Sequence, residues 1–332
     1  MSSSLPRFRP DLAEPEARAP RCPACGLGDD AAEVRPTAEP GFEVRRCPDC
    51  GLGRTWPPVP ADRIADWYPP RYYGKGNVRF NPLFERLVRL FRRRRAAVLF
   101  NRVPRGPVLD VGCGRGLMLG YLRELGYEPH GVEFSETAAW HARRELGLPV
   151  TTEDFTLAPH EKGRYNAVIF WHSLEHFANP VAALARAHEA LKPGGLLTVA
   201  VPNYDGWQAR AFGRHWFHLD VPRHYHHFGV RSLEAVLTRH RFRIVQLDHF
   251  SFEQNPYGLL QSLYNAFGFR PNLLYSLLKD PEARTDTAAR FPVQTLAVAL
   301  LLPPLLALSL ALTLVETAFR SGGTIEVYAF KE

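Results

Sequence analysis

Val108-Leu109-Asp110-Val111-Gly112-Cys113-Gly114-Arg115-Gly116-Leu117-Met118-Leu119 is the stretch on which the reading of the chain turns. A short apolar run ends on an acid and three glycines follow at alternate positions. A helical pattern then opens with Met118, Leu119, Leu122 and Leu125 and is stopped by Gly126. This reads as strand, tight turn and helix N-terminus. Glycine is needed where a ligand must approach the backbone closely, and a helix start offers that ligand free N–H groups. Such turns serve several nucleotide-type ligands. The spacing Gly112-x-Gly114-x-Gly116 behind Asp110 is not the G-x-G-x-x-G of dinucleotide folds. The next apolar segment, Gly131-Val132-Glu133, also ends on an acid, whose carboxylate can accept from both hydroxyls of a ribose.

Outward from this turn, strand signals recur at Val108 to Val111, His130 to Glu133, Pro149 to Thr151, Ala167 to Trp171, Leu196 to Val201 and Phe242 to Leu247. Helical patterns fill the gaps, notably Ser135 to Leu146 and Pro180 to Leu191, the latter stopped by Lys192-Pro193-Gly194-Gly195. Alternation of this kind predicts an α/β fold, a Rossmann-like doubly wound parallel sheet with ligands at the carboxyl ends of its strands.

Four of the five cysteines fall in two knuckles, Cys22-Pro23-Ala24-Cys25 and Cys47-Pro48-Asp49-Cys50, each followed by Gly-Leu-Gly. Two such turns can present four thiolates to one zinc ion, with the segment around Phe42-Glu43-Val44 as a small hairpin. Four protein ligands leave no open position, so the zinc of this ribbon is structural. No charged stretch followed by an apolar one opens the sequence, which sets a cytoplasmic, reducing expectation and disfavours disulfides. The fifth cysteine, Cys113, reads as a small residue that fits the glycine turn.

The glycine turn and the two acids are similar to the cofactor-binding half of class I S-adenosylmethionine-dependent methyltransferases, over roughly residues 105 to 250 and the last strand. The resemblance makes Gly112, Gly114 and Gly116 the methionine-side loop with Asp110 orienting it. It makes Glu133 the ribose ligand, and Asp154, with Glu153 as the neighbouring option, the partner of the adenine amino group. Asn166 stands where the family commonly has Asp. Gly322 to Phe330 resembles the final strand, which in this family enters the sheet antiparallel.

The fourth strand ends in Trp171-His172-Ser173-Leu174-Glu175-His176, at the end of the sheet where the methyl would lie. His172, Glu175 and His176 are candidate bases for an acceptor hydroxyl, with the histidines put first. A second cluster, His215, His218, His224, His226 and His227 with Tyr225, follows the fifth strand; His224 or Tyr225 is expected to orient the acceptor, and surface histidines are the plain alternative.

Two other segments stand out. Asn81-Pro82 starts a helix to Phe100 that mixes leucines with Arg86, Arg89 and Arg92 to Arg95. It fits either an anionic lipid surface or packing on the sheet with arginines outward. Between Arg290 and Glu316 no residue is charged, which is long enough for a membrane span. Pro303-Pro304 in its middle, and a last strand that must return to the same sheet, predict instead a helical hairpin dipping into one leaflet; a homodimer interface is the other way to bury it.

The frame is therefore a disordered tail over 1–20, the zinc ribbon over 21–55, and an aromatic linker with the basic helix over 56–104. The methyltransferase core (105–250), the apolar helical insertion (251–319) and the last strand (320–332) follow. The aromatic linker, Trp67 to Tyr73 above all, serves either as a lid or as packing on the flank. This order resembles bacterial methyltransferases of polysaccharide and lipid-linked glycan biosynthesis. It implies S-adenosylmethionine and structural zinc as cofactors, O-methylation of a glycan or lipid-linked acceptor, and a place at the inner face of the plasma membrane. The net charge of +7 favours an anionic partner. A ribosomal RNA methyltransferase would explain the arginines but not the uncharged Leu-rich segment, so nucleic acid is disfavoured as partner. A non-catalytic S-adenosylmethionine-binding scaffold is the third reading.

Overall fold

A computed structural model describes residues 21–28, 31–60, 63–68, 80–157, 161–279 and 281–332. The expected tail over 1–20 and the linker from Pro69 to Tyr73 lie outside the described residues. The ribbon strands are β1 (Glu33–Pro36), β2 (Glu43–Arg46) and β3 (Gly53–Trp56); helix α1 (Pro82–Phe100) follows. The core begins with β4 (Pro107–Val111), α2 (Leu117–Glu124), β5 (Glu128–Val132), α3 (Glu136–Arg144), β6 (Val150–Thr151) and β7 (Tyr165–Trp171). It continues with α4 (Pro180–Ala190), β8 (Leu191–Pro202), α5 (Trp207–Phe212), β9 (His226–His227), α6 (Val230–Arg239) and β10 (Phe242–Asp248). Four further helices, α7 (Asn255–Ala266), α8 (Leu273–Leu278), α9 (Pro281–Arg290) and α10 (Pro292–Ala318), precede the last strand β11 (Thr324–Lys331).

The main sheet has seven strands in the order β10-β11-β8-β7-β4-β5-β6. β11 runs antiparallel to both neighbours and the remaining strands are mutually parallel. Strand order reverses at β4, with β5 on one side and β7 on the other, so the glycine turn after β4 opens where ligands of open α/β sheets bind. One face of the sheet packs Val108, Leu119, Leu122, Ala139 and Ile169 with helices α1 to α3. The other packs Val168, Phe170, Leu184 and Leu237, and the same cluster takes in Cys22, Cys47, Cys50 and Leu52 of the ribbon. Asn166 donates to the carbonyls of Pro104 (3.0 Å) and Arg105 (3.2 Å); Asp could not donate there, which accounts for the departure from the family pattern. Lys192 to Gly195, expected as a stop, lie inside β8 at the shift in register between Tyr165 and Ala167.

Helix α1 is capped by Asn81, whose Oδ1 accepts from Phe84 N at 3.1 Å, with Pro82 at the first turn. Val88, Phe91, Ala96 and Leu99 pack inward while Leu83 and Leu90 stay exposed. The hairpin reversal expected at Pro303-Pro304 is not there: α10 passes through both prolines as one 27-residue helix. Each proline removes a single N–H donor, so only the carbonyls of Ala299 and Leu300 lose partners while the turns on either side keep theirs. The arm that lies back against α10 is α7. Tyr264 Oη donates to Val298 O at 2.9 Å near one end, and Gln208 Nε2 joins Asn255 O (3.0 Å) to Glu316 Oε1 (2.8 Å) near the other.

Candidate functional site

The glycine turn is a left-handed run, with φ of +83° at Gly112, +56° at Gly114 and +74° at Gly116. The three glycines differ in what surrounds them. A Cβ on Gly112 would meet Ser173 Cβ at 2.5 Å, and one on Gly116 would meet Ala142 Cβ at 2.8 Å; one on Gly114 meets nothing within 4 Å. Gly112 and Gly116 are thus glycines for protein packing, and Gly114 alone borders open space. Glu133 sits against that opening, Oε2 accepting from Gly114 N (2.8 Å) and Oε1 from Ser135 N (2.8 Å). Asp110 is buried beneath, and burial pushes its carboxyl up to about 7, with Glu133 adding and Arg92 opposing. Asp154 is exposed, and its Oδ1 accepts from Thr156 N (2.8 Å) and Oγ1 (2.7 Å). Phe134, directly after Glu133, is 66% exposed.

Beside the turn, β7 ends at Trp171 and the chain turns sharply at His172, whose φ is +52°. A non-glycine residue held there is strained, a feature concentrated at functional sites. His172 Nδ1 lies 3.4 Å from Glu175 Oε1, and Nε2 is buried without a hydrogen-bond partner among the described residues. Glu175 is 1% exposed and neither carboxylate oxygen has a hydrogen-bond partner among them either. Burial pushes Glu175 up to about 7 and holds His172 down at about 4. Arg95 stacks over Trp171 at 4.4 Å and pairs with Glu253, which Arg92 also meets at 3.2 Å. On the other side His176 Nδ1 donates to Arg223 O at 3.0 Å and lies 3.3 Å from Tyr68 Oη; its ring meets that of His224 edge-on at 4.6 Å. Glu175, His176 and His224 each bring one ligand-type atom within 4.8 Å of the others.

The second histidine cluster is interior. His218, His224, His226 and His227 are all buried, and burial holds them below the usual range, His218 and His226 at about 4 and His227 at about 3. His215 is half-buried and takes Arg214 Nε at 3.2 Å. β9 is the fourth strand of the ribbon sheet, pairing with β3. Thr55 donates its hydroxyl to His224 O (2.6 Å), so His227 Nε2, 3.0 Å away, must donate to that oxygen and is the Nε2–H tautomer. Tyr225, expected near the acceptor, donates its hydroxyl to Val59 O at 2.9 Å. These residues seat the ribbon on the core.

In the ribbon itself all four sulfurs lie within 4.8 Å of one another, Cys22 to Cys50 at 3.5 Å and Cys25 to Cys47 at 3.6 Å. A tetrahedron with metal–sulfur bonds of about 2.3 Å has edges of ~3.8 Å. The knuckles match in detail: Gly26 N donates to Cys22 O and Gly51 N to Cys47 O, both glycines left-handed. The set fits one zinc ion.

Residues 83–247 match the family described as methyltransferase domain, over about half the chain. That segment belongs to the class I, S-adenosylmethionine-dependent methyltransferases. The methyltransferase core is 34% identical over 157 residues to a ubiquinone biosynthesis O-methyltransferase of Caulobacter vibrioides, a match covering 42% of this chain and 59% of that protein. A ubiquinone biosynthesis O-methyltransferase of Brucella anthropi is 28% identical over 212 residues, 58% of this chain and 82% of that one. The chain thus spans less than two-thirds of the length of the first relative. Among solved structures, a SAM-dependent methyltransferase from Archaeoglobus fulgidus aligns with a TM-score of 0.47 at 19% identity, over 74% of this chain and 94% of that one.

Three groups at this candidate site escape a reading of the motifs alone. Tyr68 reaches His176 from the linker, Glu253 closes on Arg92 and Arg95 from the start of the insertion, and Ser173 Oγ donates to Val111 O at 2.6 Å beneath Gly112. Ser173 had a signal, since it adjoins His172 after a strand; the other two depend on distant chain.

Proposed function

We propose that the chain is an S-adenosylmethionine-dependent O-methyltransferase whose acceptor is a glycan or a lipid-linked molecule, held at the inner face of the plasma membrane. The observation that carries the reaction is the placing of an open glycine cradle with its acid, Gly114 and Glu133, beside a buried and incompletely bonded acid–histidine couple, Glu175 and His172. In this reading Asp110, Gly112, Gly114 and Gly116 shape the methionine side, Glu133 holds the ribose, Phe134 covers the base and Asp154 takes its amino group. When bound, the cofactor supplies a methyl on a positively charged sulfur, open to in-line displacement. The residues of the chain must then hold an acceptor hydroxyl in line and remove its proton. Glu175, with its carboxyl near 7, takes that proton through His172, a contribution of ~10²- to 10⁴-fold in rate. His176 and His224 wall the opposite side. The ribbon zinc, held by Cys22, Cys25, Cys47 and Cys50, fixes the histidine seam and takes no part in the chemistry.

The names of the O-methyltransferase relatives support oxygen as the accepting atom. Arg92 and Arg95 are engaged with Glu253 while Arg86, Arg89, Arg93 and Arg94 stay exposed, so the support for the glycan or lipid reading over RNA comes from the uncharged, largely exposed α10, which an RNA substrate would not need. Calorimetry of the zinc-loaded protein with the cofactor or its demethylated product tests the cradle. Mass spectrometry of glycans and lipids from a deletion strain, sought for a species lighter by one methyl, tests the acceptor. Alanine at His172, His176 and His224 that leaves turnover intact, with cofactor binding unchanged, overturns the assignment of the base.

A further inference from the structure

Helix α10 is turned inside out relative to a helix of a water-soluble protein. Its buried residues, Val298, Ser309, Thr313 and Glu316, form one stripe along the body, and that stripe holds the polar side chains: Ser309 is 0%, Thr313 1% and Glu316 2% exposed. Facing away are Val293 at 80%, Leu296 at 62%, Leu300 at 69% and Leu314 at 65% exposed, with further leucines between them. At 100° per residue the outward apolar positions cover about two-thirds of the circumference. A partner helix covers roughly a 100° stripe, so a second copy of this chain would leave most of this surface wet. The acyl chains of a leaflet are the surroundings that could cover all of it at once.

Both ends carry the groups that settle at a bilayer interface. Phe291 lies under Arg270 at 4.5 Å with Arg290 adjacent, and Trp207 packs on Phe319 at 5.1 Å with Arg320 adjacent, both rings of that pair exposed. The attachments of the helix argue against a crossing. It is tied to one folded body at both ends, through Arg270 N to Gln294 Oε1 (2.9 Å) and Tyr264 Oη to Val298 O at one, and through Glu316 to Gln208 at the other. A span would carry the buried Asn255, Gln261, Ser262 and Asn265 of α7 into hydrocarbon with it.

We infer that α10 lies in the plane of an anionic membrane, sunk into one leaflet along its whole length as a monotopic anchor. Its C-terminal end joins the sheet where Asn203 N donates to Gly323 O and Trp207 N to Ser321 O, the same strand edge that carries the glycine turn and His172. The anchor therefore sets that edge against the headgroups, whether or not the methyl acceptor is itself a lipid.

Flotation of the full zinc-loaded chain with phosphatidylcholine–phosphatidylglycerol vesicles tests this. The wild type floats, and the Leu300→Glu/Leu314→Glu variant partitions at least tenfold less while its cofactor binding and circular dichroism stay the same. Orientation is read from cysteines introduced at Ala289→Cys and Arg320→Cys, exposed positions just outside the apolar length of α10 at either end, labelled from outside sealed vesicles with an impermeant maleimide and located by peptide mass spectrometry. Both sites react without permeabilisation. One end reacting only after permeabilisation means a span and overturns the inference. So does a protein that does not float, whether it sediments as a monomer or as a dimer that protects α10.

Discussion

The two halves of the sheet edge use polar residues in opposite ways. On the β4–β5 side the acid is matched: Glu133 accepts from Gly114 N and Ser135 N, and the gap that remains is the open space beside Gly114. On the β7 side the groups are left unmatched, with His172 in a left-handed conformation and the Glu175 carboxylate buried without hydrogen-bond partners among the described residues. The first half is made of backbone and one acid from a short stretch of chain. The second is assembled from Tyr68, Arg92, Arg95, His172 to His176, His224 and Glu253, which only the fold brings together. A half built locally holds its shape by itself; a half built from distant segments depends on whatever fixes those segments.

Removing zinc tests that dependence with the largest effect. Structural zinc sites contribute on the order of 10 kcal/mol to folding their domain. Chelation is expected to abolish hydrogen-exchange protection over β1 to β3 and at His224 to His227, because β3 pairs with β9 and Thr55 ties the two together. Protection over Val108 to Glu133 is expected to remain. Equal loss in both regions would show that the halves are one cooperative unit and end the comparison.

Glu175→Gln probes the unmatched half. The rate constant is expected to fall ~10²- to 10⁴-fold with cofactor affinity unchanged. The same change is expected to raise the melting temperature above pH 7. The sign follows from burial: the folded carboxyl titrates near 7 against an ordinary value of 4.5, so its stability contribution is present below 4.5 and is lost as pH rises to 7. A residue that merely filled space would move neither in this pattern. Glu133→Ala probes the matched half, where two backbone N–H groups lose their acceptor at roughly 1–3 kcal/mol each. Calorimetry is expected to show cofactor affinity down by roughly 30- to 100-fold with the fold intact; unchanged affinity would remove Glu133 from the cofactor site.

How far each half could be read beforehand follows from the same difference. The strands of the core, the glycine turn and the two acids were legible because strand, turn and acid lie within a few residues of each other and only a few backbone shapes suit them. Gly112 and Gly116 were legible as glycines but not by reason, since Ser173 and Ala142 come from elsewhere. The histidine cluster was visible as a cluster, yet its burial was not, because β9 is two residues long and exists only by pairing with β3. The proline pair in α10 pointed to a break because local rules weigh a lost donor against an isolated helix. Here α7 packs along that helix and the turns on either side of the gap stay bonded.

The smallest effect separates the seam from the site most finely. His227 is buried neutral, held at about 3, and donates to Thr55 across the ribbon–core boundary. Its folded value lies below the ordinary 6.5, so between those two values the unfolded chain binds a proton that the folded chain refuses, and stability falls as pH drops through that window. At pH 7.5 the substitution His227→Gln is expected to cost about 1 kcal/mol, the hydrogen bond to Thr55. At pH 5 the wild type carries a penalty of about 2 kcal/mol that Gln escapes, from 1.5 pH units at 1.36 kcal/mol each. The two stability curves, followed by urea unfolding, should therefore cross near pH 6, with the wild type ahead above and the variant ahead below. Cofactor affinity at pH 7.5 should not change. Parallel curves would mean that His227 is wet or charged in the folded protein, and the seam would then be a surface against which the ribbon only rests.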